Sequence, residues 1–274
     1  MKLMGKLKFA LLAATAACIV SGAAFAESRL DRILKEGKIT LCTSPYYAPY
    51  EFIDNTKTGQ DQYVGSDMQL GRHIAEKLGV ELEIVPMEFS AVLAAISQGK
   101  YDIAIGALTH TPKRARAMEL SSAYKKGADQ GVMVRKENAG KYSSLEDFNS
   151  PEVTISYHSG SLQEQLCELQ LPKAKKQVFD TVQNAVLALN AGKIDAVAVA
   201  KPNGELFVNA NPDLEVLPYY FTQEVSGLVV AAKKGETELI ARISEIIDEL
   251  VAQDLYTKWN DEAKEAAAKL GINK

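Results

Sequence analysis

Residues 95–102 read AISQGKYD, and residues 188–195, 93 positions further on, read ALNAGKID. In both copies a helical pattern ends at a glycine, which favours a left-handed helix end, and a charged turn then leads into a short apolar run. A strand of that composition is typical of a parallel sheet covered on both faces. The pair predicts two similar α/β lobes, with independent use of a common helix-turn-strand unit as the alternative.

The alternation of short apolar runs and helical patterns extends along the whole chain from residue 38. Apolar residues with 3.6-residue spacing predict helices over residues 68–78 and 240–250, and Gly79 follows the first of them as a C-cap. This order predicts an α/β fold with mainly parallel sheets. The clearest strands are residues 39–43, 82–85, 102–107, 153–157, 195–199 and 227–231.

The composition is that of an ordinary globular protein. The chain has 274 residues, 47% of them hydrophobic and 24% charged, with 31 Lys+Arg against 35 Asp+Glu. This balance excludes disorder and allows one large or two modest domains. Because the sequence has no basic cluster with interleaved aromatic residues, we expect no nucleic-acid partner. A monomer is the default expectation.

The first 26 residues form a separate unit. Three lysines precede an apolar run over residues 9–20, and the segment ends in Ala-Phe-Ala at Ala26. This pattern predicts a signal peptide at residues 1–26 and a periplasmic mature protein, because the run is too short to span a bilayer. Lipidation of Cys18 is the less favoured alternative.

Two cysteines remain after removal of that segment. Cys42 falls in a predicted strand and Cys167 in a predicted helix of the other half. An exported chain permits a disulfide, but we expect two buried thiols. Their spacing matches no metal site, and we expect no metal or cofactor.

The ends of the predicted strands carry the candidate binding residues, because open parallel sheets bind ligands beyond the carboxyl ends of their strands. Residues 44–52 are rich in aromatic side chains, residues 108–114 carry hydroxyls and an arginine, and residues 158–161 read HSGS before a helix. These loops predict a small-molecule cleft. A nucleophile served by His158 is an alternative for the third loop, but Gly160 and Ser161 there are better explained as an anion-accepting helix N-terminus.

Arg114 is the candidate anion ligand. Thr111 is suited to cap a helix whose first turn contains Arg114, and a cation at that end is disfavoured unless an anion compensates for it. A guanidinium group fits a carboxylate with two parallel hydrogen bonds. Thr109 and the backbone amides near Ala107 add donors for the same anion. A solvated surface arginine is the alternative.

Tyr47 and Phe89 are the candidate aromatic walls of the cleft. Both lie in or beside loops that follow strands, and aromatic faces suit an aliphatic or ammonium group of a ligand. Phe52, in the same loop as Tyr47, fits a core position equally well.

An ordered set of motifs resembles one family, the extracellular solute-binding proteins of ABC importers for polar amino acids, which share the type II periplasmic binding protein fold. The set covers nearly all of the predicted mature chain. The matching stretches are residues 47–52, 64–70, 99–102, 107–114, 121–124, 159–161, 192–196 and 227–234.

The resemblance implies a two-lobed α/β protein, each lobe a mainly parallel sheet flanked by helices, joined by two crossover strands. Lobe one is then residues 27–125 plus 226–274 and lobe two is residues 126–225, with crossovers near residues 125–131 and 221–226. Such proteins close around their ligand by hinge motion and deliver it to the permease subunits of an ABC transporter.

The resemblance also implies roles for single residues. The position of Arg114 holds the ligand α-carboxylate, helped by Thr109, the amide region at Ala107, and Ser161 with its neighbour Gly160. The positions of Tyr47 and Phe89 enclose the ligand side chain.

Two departures from the family pattern concern the ligand α-amino group. Relatives commonly carry an aspartate where this chain has Ala200, and often a second carboxylate where it has Ser44. A buried ammonium group without a counter-charge is unfavourable by several kcal/mol. Either another acid supplies the charge, or the ligand has no α-amine and Lys201 becomes an extra anion contact. The candidate acids are Glu51, Glu88 and Glu224.

The first hypothesis is therefore an exported protein that binds an amino acid or related small carboxylate without catalysis. The second is a dehydratase-like enzyme of the same fold acting on a small carboxylated ring, with His158, His110 or Glu88 as general acid or base. The third is an accessory or sensory protein that binds a partner.

Overall fold

The computed structural model describes residues 27–223 and 227–272. The predicted signal peptide at residues 1–26, Cys18 and Glu224 lie outside the described residues. Within the described residues, no helix has the length and apolar character needed to cross a membrane.

Helices and strands alternate through the described chain. Side-chain oxygens of Ser28, Thr111, Ser161 and Thr181 cap four of the helices, since each accepts a hydrogen bond from a backbone N–H in the first turn. The helices are α1 (Arg29–Glu36), α2 (Ser66–Leu78), α3 (Phe89–Ser97), α4 (Pro112–Ala117), α5 (Leu162–Gln170), α6 (Val182–Asn190), α7 (Lys201–Ala210), α8 (Thr237–Ala252) and α9 (Leu255–Lys269). The strands are β1 (Lys38–Thr43), β2 (Tyr46–Tyr47), β3 (Glu51–Ile53), β4 (Tyr63–Val64), β5 (Glu81–Pro86), β6 (Ile103–Ala104), β7 (Met118–Leu120), β8 (Gln130–Arg135), β9 (Thr154–His158), β10 (Lys175–Phe179), β11 (Ala196–Ala200), β12 (Leu214–Tyr220) and β13 (Ala231–Lys233).

Two five-stranded sheets organise the molecule. The first has the order β5-β1-β6-β13-β7 and the second the order β10-β9-β11-β8-β12. In each sheet one strand, β13 or β8, is antiparallel to both of its neighbours, so the other four strands run in one direction. The prediction of mainly parallel sheets is confirmed. We call the parts built on the first and second sheets lobe one and lobe two.

The chain passes between the lobes twice, from β7 to β8 and from β12 to β13. The crossovers expected near residues 125–131 and 221–226 and the lobe boundaries at 125/126 and 225/226 stay predictions. The small sheet β2-β3-β4 forms part of the loop that follows β1.

Helices cover both faces of each sheet. In lobe one, α2 and α8 pack on one face through Ile74 and Ile243, and α3 packs on the other through Ile96. In lobe two, α5 covers one face, and α6 and α7 cover the other. Cys42 and Cys167 are buried in the separate lobes as free thiols, as expected.

The repeated stretch forms the same turn in both lobes. Gly99 and Gly192 have φ angles of 72° and 69°, in the left-handed region that favours glycine. The N–H groups of Lys100 and Lys193 donate to the carbonyl five residues earlier, at 3.0 and 2.9 Å. Both turns are therefore the same helix-ending motif.

The aspartate of each copy ties the turn to the adjacent strand. Oδ2 of Asp102 accepts a hydrogen bond from the N–H of Thr40 at 2.9 Å, and Oδ2 of Asp195 accepts one from the N–H of Thr154 at 2.8 Å. The two copies thus occupy equivalent places in the two lobes.

Two predicted strands are shorter or displaced. The strand expected over residues 102–107 pairs only at Ile103–Ala104, because the chain leaves the sheet and Ala107 adopts a φ of 46°. The strand expected over residues 227–231 begins only at Ala231, as β13. Before it, Leu228 forms isolated β-bridges with Thr109 and Lys125. In lobe one these departures lie next to the cleft.

Candidate ligand-binding site

A cavity lies between the lobes at the carboxyl ends of their parallel strands. Its envelope is about 800 Å³, open solvent included. Lobe one contributes Ser44, Tyr46, Tyr47, Tyr50, Glu51, Phe89, Gly106, Ala107, Thr109 and Arg114; lobe two contributes Gln130, His158, Ser161, Leu162, Gln163, Thr181, Val182, Ala198, Val199 and Ala200; and Ala128 and Leu228 lie at the passages.

Most of the predicted binding residues line this cavity. They are Ser44, Tyr47, Phe89, Ala107, Thr109, Arg114, His158, Ser161 and Ala200. Gly160 lies behind the lining, where its carbonyl accepts a hydrogen bond from Arg114. Glu88 and Lys201 are outside the lining, and Lys201 pairs with Glu205 one helical turn further along α7.

Arg114 is buried at the floor of the cavity, with 4% of its surface exposed. Its Nη1 donates to the carbonyl of Thr109 at 2.8 Å and its Nη2 to the carbonyl of Gly160 at 3.2 Å, while Nε has no hydrogen-bond partner among the described residues. The guanidinium carbon lies 5.7 Å from the centre of the Phe89 ring. The solvated surface arginine considered above is therefore wrong.

No acid compensates for this buried charge within the described residues, since Arg114 takes part in no ion pair there. Burial lowers the pKa of Arg114 to about 10, so the group is still a cation at neutral pH. A buried cation without a counter-charge is unfavourable. The arrangement favours binding of an anion from solvent.

Two predicted anion donors are already engaged. The N–H of Ala107 donates to Oδ2 of Asp67 at 2.7 Å, because the left-handed backbone at Ala107 turns this amide into lobe one. The N–H of Gly160, which precedes the N-cap residue Ser161 of α5, donates to the carboxylate of Glu164 at 2.5 Å. The N–H groups of Ala107 and Gly160 are therefore engaged within the protein, and the expected roles of the neighbouring backbone amides stay predictions.

Hydroxyl groups remain available beside Arg114. Oγ of Ser161 accepts a hydrogen bond from the N–H of Glu164 at 3.1 Å, which leaves its own proton free to donate into the cavity. Thr109 lines the cavity while its carbonyl holds Arg114. An anion at Arg114 can thus receive guanidinium and hydroxyl donors.

Glu51 is the acid of the cavity wall, and it is 1% exposed. It forms a hydrogen bond with Asp67, and its Oε2 accepts no hydrogen bond from a described donor. Burial and the adjacent Asp67 charge raise the pKa of Glu51 well above its ordinary value. Asp67 accepts from the Tyr124 hydroxyl at 2.9 Å and from the Tyr256 hydroxyl, so we assign the shared proton to Glu51.

The aromatic residues form walls on opposite sides. The Tyr47 ring stacks on Tyr50 with centroids 5.8 Å apart and planes 14° apart. Phe89 lies against His158 with centroids 5.3 Å apart. Burial lowers the pKa of His158 to about 4, so this imidazole is neutral at pH 7.

Hydrogen bonds join the lobes around the cavity. The Tyr47 hydroxyl bonds to the Gln163 side chain and to the Ala200 backbone. Nδ2 of Asn203 donates to the carbonyl of Ala48 at 2.9 Å in a buried position. Sequence reasoning missed Gln163 and Asn203, because hydrogen bonds between distant polar residues leave no local pattern; their places in the first turns of α5 and α7 were the available signal.

A pH dependence follows from the raised pKa of Glu51. In the unfolded chain a glutamate has a pKa of about 4.3, and in the folded protein the pKa of Glu51 is higher. The protonated group therefore contributes its full stabilisation below the unfolded-state pKa, and this contribution is lost as pH rises through the folded-state pKa. Glu51→Gln stays neutral throughout. We expect the melting temperature of ligand-free Glu51→Gln, relative to the parent, to increase between pH 4.5 and pH 8 in thermal melts. Parallel pH profiles would contradict this assignment of the proton.

The sequence matches the family model described as bacterial extracellular solute-binding proteins, family 3, over residues 39–262. The arginine-binding extracellular protein ArtP of Bacillus subtilis is 26% identical over 258 residues, which cover 91% of this chain and 96% of ArtP. The cyclohexadienyl dehydratase of Pseudomonas aeruginosa is 26% identical over 188 residues, which cover 69% of this chain and 68% of that enzyme.

Solved structures agree with the family match. An amino acid ABC transporter substrate-binding protein from Streptococcus pneumoniae, bound to L-arginine, has a TM-score of 0.80 and 30% identity, covering 87% of this chain and 98% of its own. The ancestral amino acid-binding protein AncCDT-1, described as a precursor of cyclohexadienyl dehydratase, has a TM-score of 0.76 and 29% identity, covering 86% and 98%. Together, the lobed fold, the cleft and these matches assign the chain to the bacterial extracellular solute-binding proteins of family 3.

Proposed function

We propose that this protein captures an amino acid or a related small carboxylate between its lobes and delivers it to the permease of an ABC importer. The observation that carries the proposal is the buried Arg114 guanidinium, which lines the cavity without an ion pair among the described residues. The arginine-bound relative and ArtP support an amino-acid ligand. The proposal includes export to the periplasm, a monomer, and lobe boundaries at 125/126 and 225/226.

In this proposal, Arg114 binds the ligand carboxylate, and the hydroxyls of Thr109 and Ser161 add donors. Tyr47 and Phe89 enclose the aliphatic part of the ligand. Ser44 and Ala200 contribute shape but no charge, and Lys201 takes no part, since it lies outside the lining and pairs with Glu205.

A ligand screen on residues 27–274 tests the function. We expect small carboxylates, with or without amino groups, to raise the melting temperature, because a ligand at 100 times its Kd stabilises a protein by about 2.7 kcal/mol. The matched control is the same set of ligands with the carboxylate replaced by an amide, which should give no shift. Equal shifts from both sets would contradict carboxylate capture.

Closure of the lobes around ligand is part of the proposal, and the Asn203–Ala48 hydrogen bond belongs to the closed form. We expect Asn203→Ala to raise the ligand Kd about fivefold, mainly through faster dissociation, because one buried hydrogen bond is lost. The melting temperature of the ligand-free protein should change little. Stopped-flow binding measures the rates, and exposed Asn190→Ala is the matched control.

Catalysis is the second candidate, favoured by similarity to a dehydratase and by a protonated Glu51 in the cavity, which has the form of a general acid. Of the acid–base candidates taken from the sequence, His110 and Glu88 are outside the lining, and the pKa of His158, lowered by burial to about 4, makes it a weak base. We propose binding without turnover. Incubation with a carboxylated cyclohexadienol should give no product by mass spectrometry, and water loss at a rate dependent on Glu51 would overturn this.

A further inference from the structure

We propose that the ligand carries a net negative charge, which means a small carboxylate that has no ammonium or guanidinium group. Hydroxy, oxo and unsubstituted carboxylic acids belong to this class. This inference rests on the proposed carboxylate capture and names its ligand class. The electrostatics of the whole cavity wall carry it, because helix N-termini, capping hydroxyls and one buried cation meet there.

Four helices begin at the cavity wall. Phe89 is the first residue of α3, Leu162 of α5 and Val182 of α6, and Ala200 directly precedes α7; all four residues line the cavity. The N-terminal end of a helix carries about half a positive elementary charge, because its first N–H groups have no carbonyl partner within the helix. Positive helix ends therefore meet at the cavity from both lobes.

The capping hydroxyls of lobe two suit a ligand that accepts hydrogen bonds. Oγ of Ser161 accepts from the N–H of Glu164 at 3.1 Å, and Oγ1 of Thr181 accepts from the N–H of Asn184 at 3.2 Å. Each hydroxyl keeps its own proton to donate, and Ser161 and Thr181 both line the cavity.

The side-chain charges of the wall add to this positive potential. Among the described lining residues, Arg114 is the one arginine or lysine and Glu51 the one aspartate or glutamate. Glu51 holds the proton of its hydrogen bond with Asp67 and so brings no negative charge. His158 is neutral at pH 7, because burial lowers its pKa to about 4. Arg114 is therefore the one ionised group among the described residues of the wall.

The nearest negative charges lie outside this wall. Asp67 keeps the charge of the pair with Glu51, but it is fully buried and accepts hydrogen bonds from a backbone amide and two tyrosine hydroxyls. Glu88, Asp180 and Glu164 lie beside the starts of α3, α6 and α5, and none of them lines the cavity. None of these four acids is thus placed to pair with a ligand cation.

A ligand ammonium group would be desolvated in this cavity without a counter-charge, in the company of Arg114 and four helix N-termini. Burial of an unpaired cation is strongly unfavourable. A hydroxyl or carbonyl oxygen in the same place carries no charge and can accept a hydrogen bond from Ser161 or Thr181. The carboxylate of either ligand would still pair with Arg114, so the second group decides the preference.

Isothermal titration calorimetry at pH 7 with matched pairs tests the proposal, since a hydroxyl replaces an ammonium group with little change in size. The pairs are L-lactate and L-alanine, L-2-hydroxypentanoate and L-norvaline, L-2-hydroxy-4-methylpentanoate and L-leucine, and L-2-hydroxyglutarate and L-glutamate. In each pair that binds, we expect the hydroxy acid to bind more than about tenfold tighter. L-arginine, with two cationic groups, should bind more weakly than the tightest hydroxy acid. A smaller ratio, or a tighter amino acid, overturns the proposal.

Failure of this inference is distinguishable from failure of the carboxylate site. Amino acids that bind tighter than their hydroxy partners, and that lose affinity in Arg114→Met, would keep carboxylate capture and overturn the ligand class. If no carboxylate binds, both proposals fail.

A variant that adds an acid tests the electrostatic cause. Ala200 lines the cavity as the N-cap residue of α7, where its side chain makes no capping hydrogen bond. Aspartate and asparagine are both favourable N-cap residues, so the fold should be retained in Ala200→Asp and Ala200→Asn. We expect Ala200→Asp to shift the preference about tenfold or more toward amino acids, and the neutral Ala200→Asn to leave it within about threefold. An unchanged preference in Ala200→Asp, or an equal shift in Ala200→Asn, overturns the proposal.

Two further variants test acids that do not belong to the described wall. Glu88 lies outside the lining, and Glu224 lies outside the described residues. We expect Glu88→Gln and Glu224→Gln to leave the preference for hydroxy acids within about threefold. A loss of amino-acid affinity in either variant would show that this acid holds a ligand cation, which overturns the proposal.

Discussion

Replacing Arg114 by methionine is expected to weaken carboxylate binding about 1000-fold, which corresponds to about 4 kcal/mol. The guanidinium is held by the Thr109 and Gly160 carbonyls and is shielded from water by Phe89. A carboxylate paired with it is fully desolvated, and removal of one partner leaves the other buried without a counter-charge. Titration calorimetry on the parent and the variant measures the loss.

The same substitution should not destabilise the ligand-free protein. Burial lowers the pKa of Arg114 to about 10, which means that the folded state disfavours the charged form that the unfolded chain carries freely at pH 7. Methionine removes this charge at similar length, so we expect an equal or higher melting temperature. A fall in melting temperature that parallels the loss of binding would instead indicate a structural role.

Arg114→Lys provides the matched comparison. It keeps the positive charge but loses the planar pair of donors, so binding should weaken by about 10-fold to 30-fold. An affinity as low as that of Arg114→Met would show that geometry, more than charge, holds the ligand.

The fold was largely predictable because its signals are local. The glycine turns after α3 and α6 and the apolar stripe of α8 each depend on residues within a few positions of one another. Arg114 also had a local signal, since Thr111 and Pro112 place it in a first helical turn. Its burial was not predictable, because Gly160 comes from the other lobe.

The engagement of the Ala107 amide was not predictable, because it depends on a long-range hydrogen bond. The Ala107 amide was expected to face an anion, but Asp67, forty residues earlier, accepts its hydrogen bond. The sequence left three acids as candidates for the ligand cation. Glu51 is buried in the cavity wall, Glu88 lies outside the lining, and Glu224 lies outside the described residues.

Asp67 supports the site, and Asp67→Ala is expected to lower the free energy of unfolding by about 4 kcal/mol. Its carboxylate is fully buried and accepts hydrogen bonds from the Ala107 amide and from the hydroxyls of Tyr124 and Tyr256. Removal leaves these donors unsatisfied and Glu51 without its partner. At about 2–4 °C per kcal/mol for a chain of this size, the melting temperature should fall by about 10 °C.

Ligand binding by Asp67→Ala distinguishes a role of Asp67 in shaping the site from a role in stability alone. Ala107 has a left-handed backbone, donates its N–H to Asp67, and lines the cavity together with Thr109 and Gly106. At a temperature where Asp67→Ala is fully folded, we expect its ligand affinity to fall, whereas Asp248→Ala, on the exposed face of α8, should change neither property. A double-mutant cycle with Glu51→Ala, which removes the donor, should give a coupling of about 1–3 kcal/mol, because the two carboxyl groups share one hydrogen bond. Additive effects would mean that Glu51 and Asp67 are not coupled, and the proton of Glu51 would then need another acceptor.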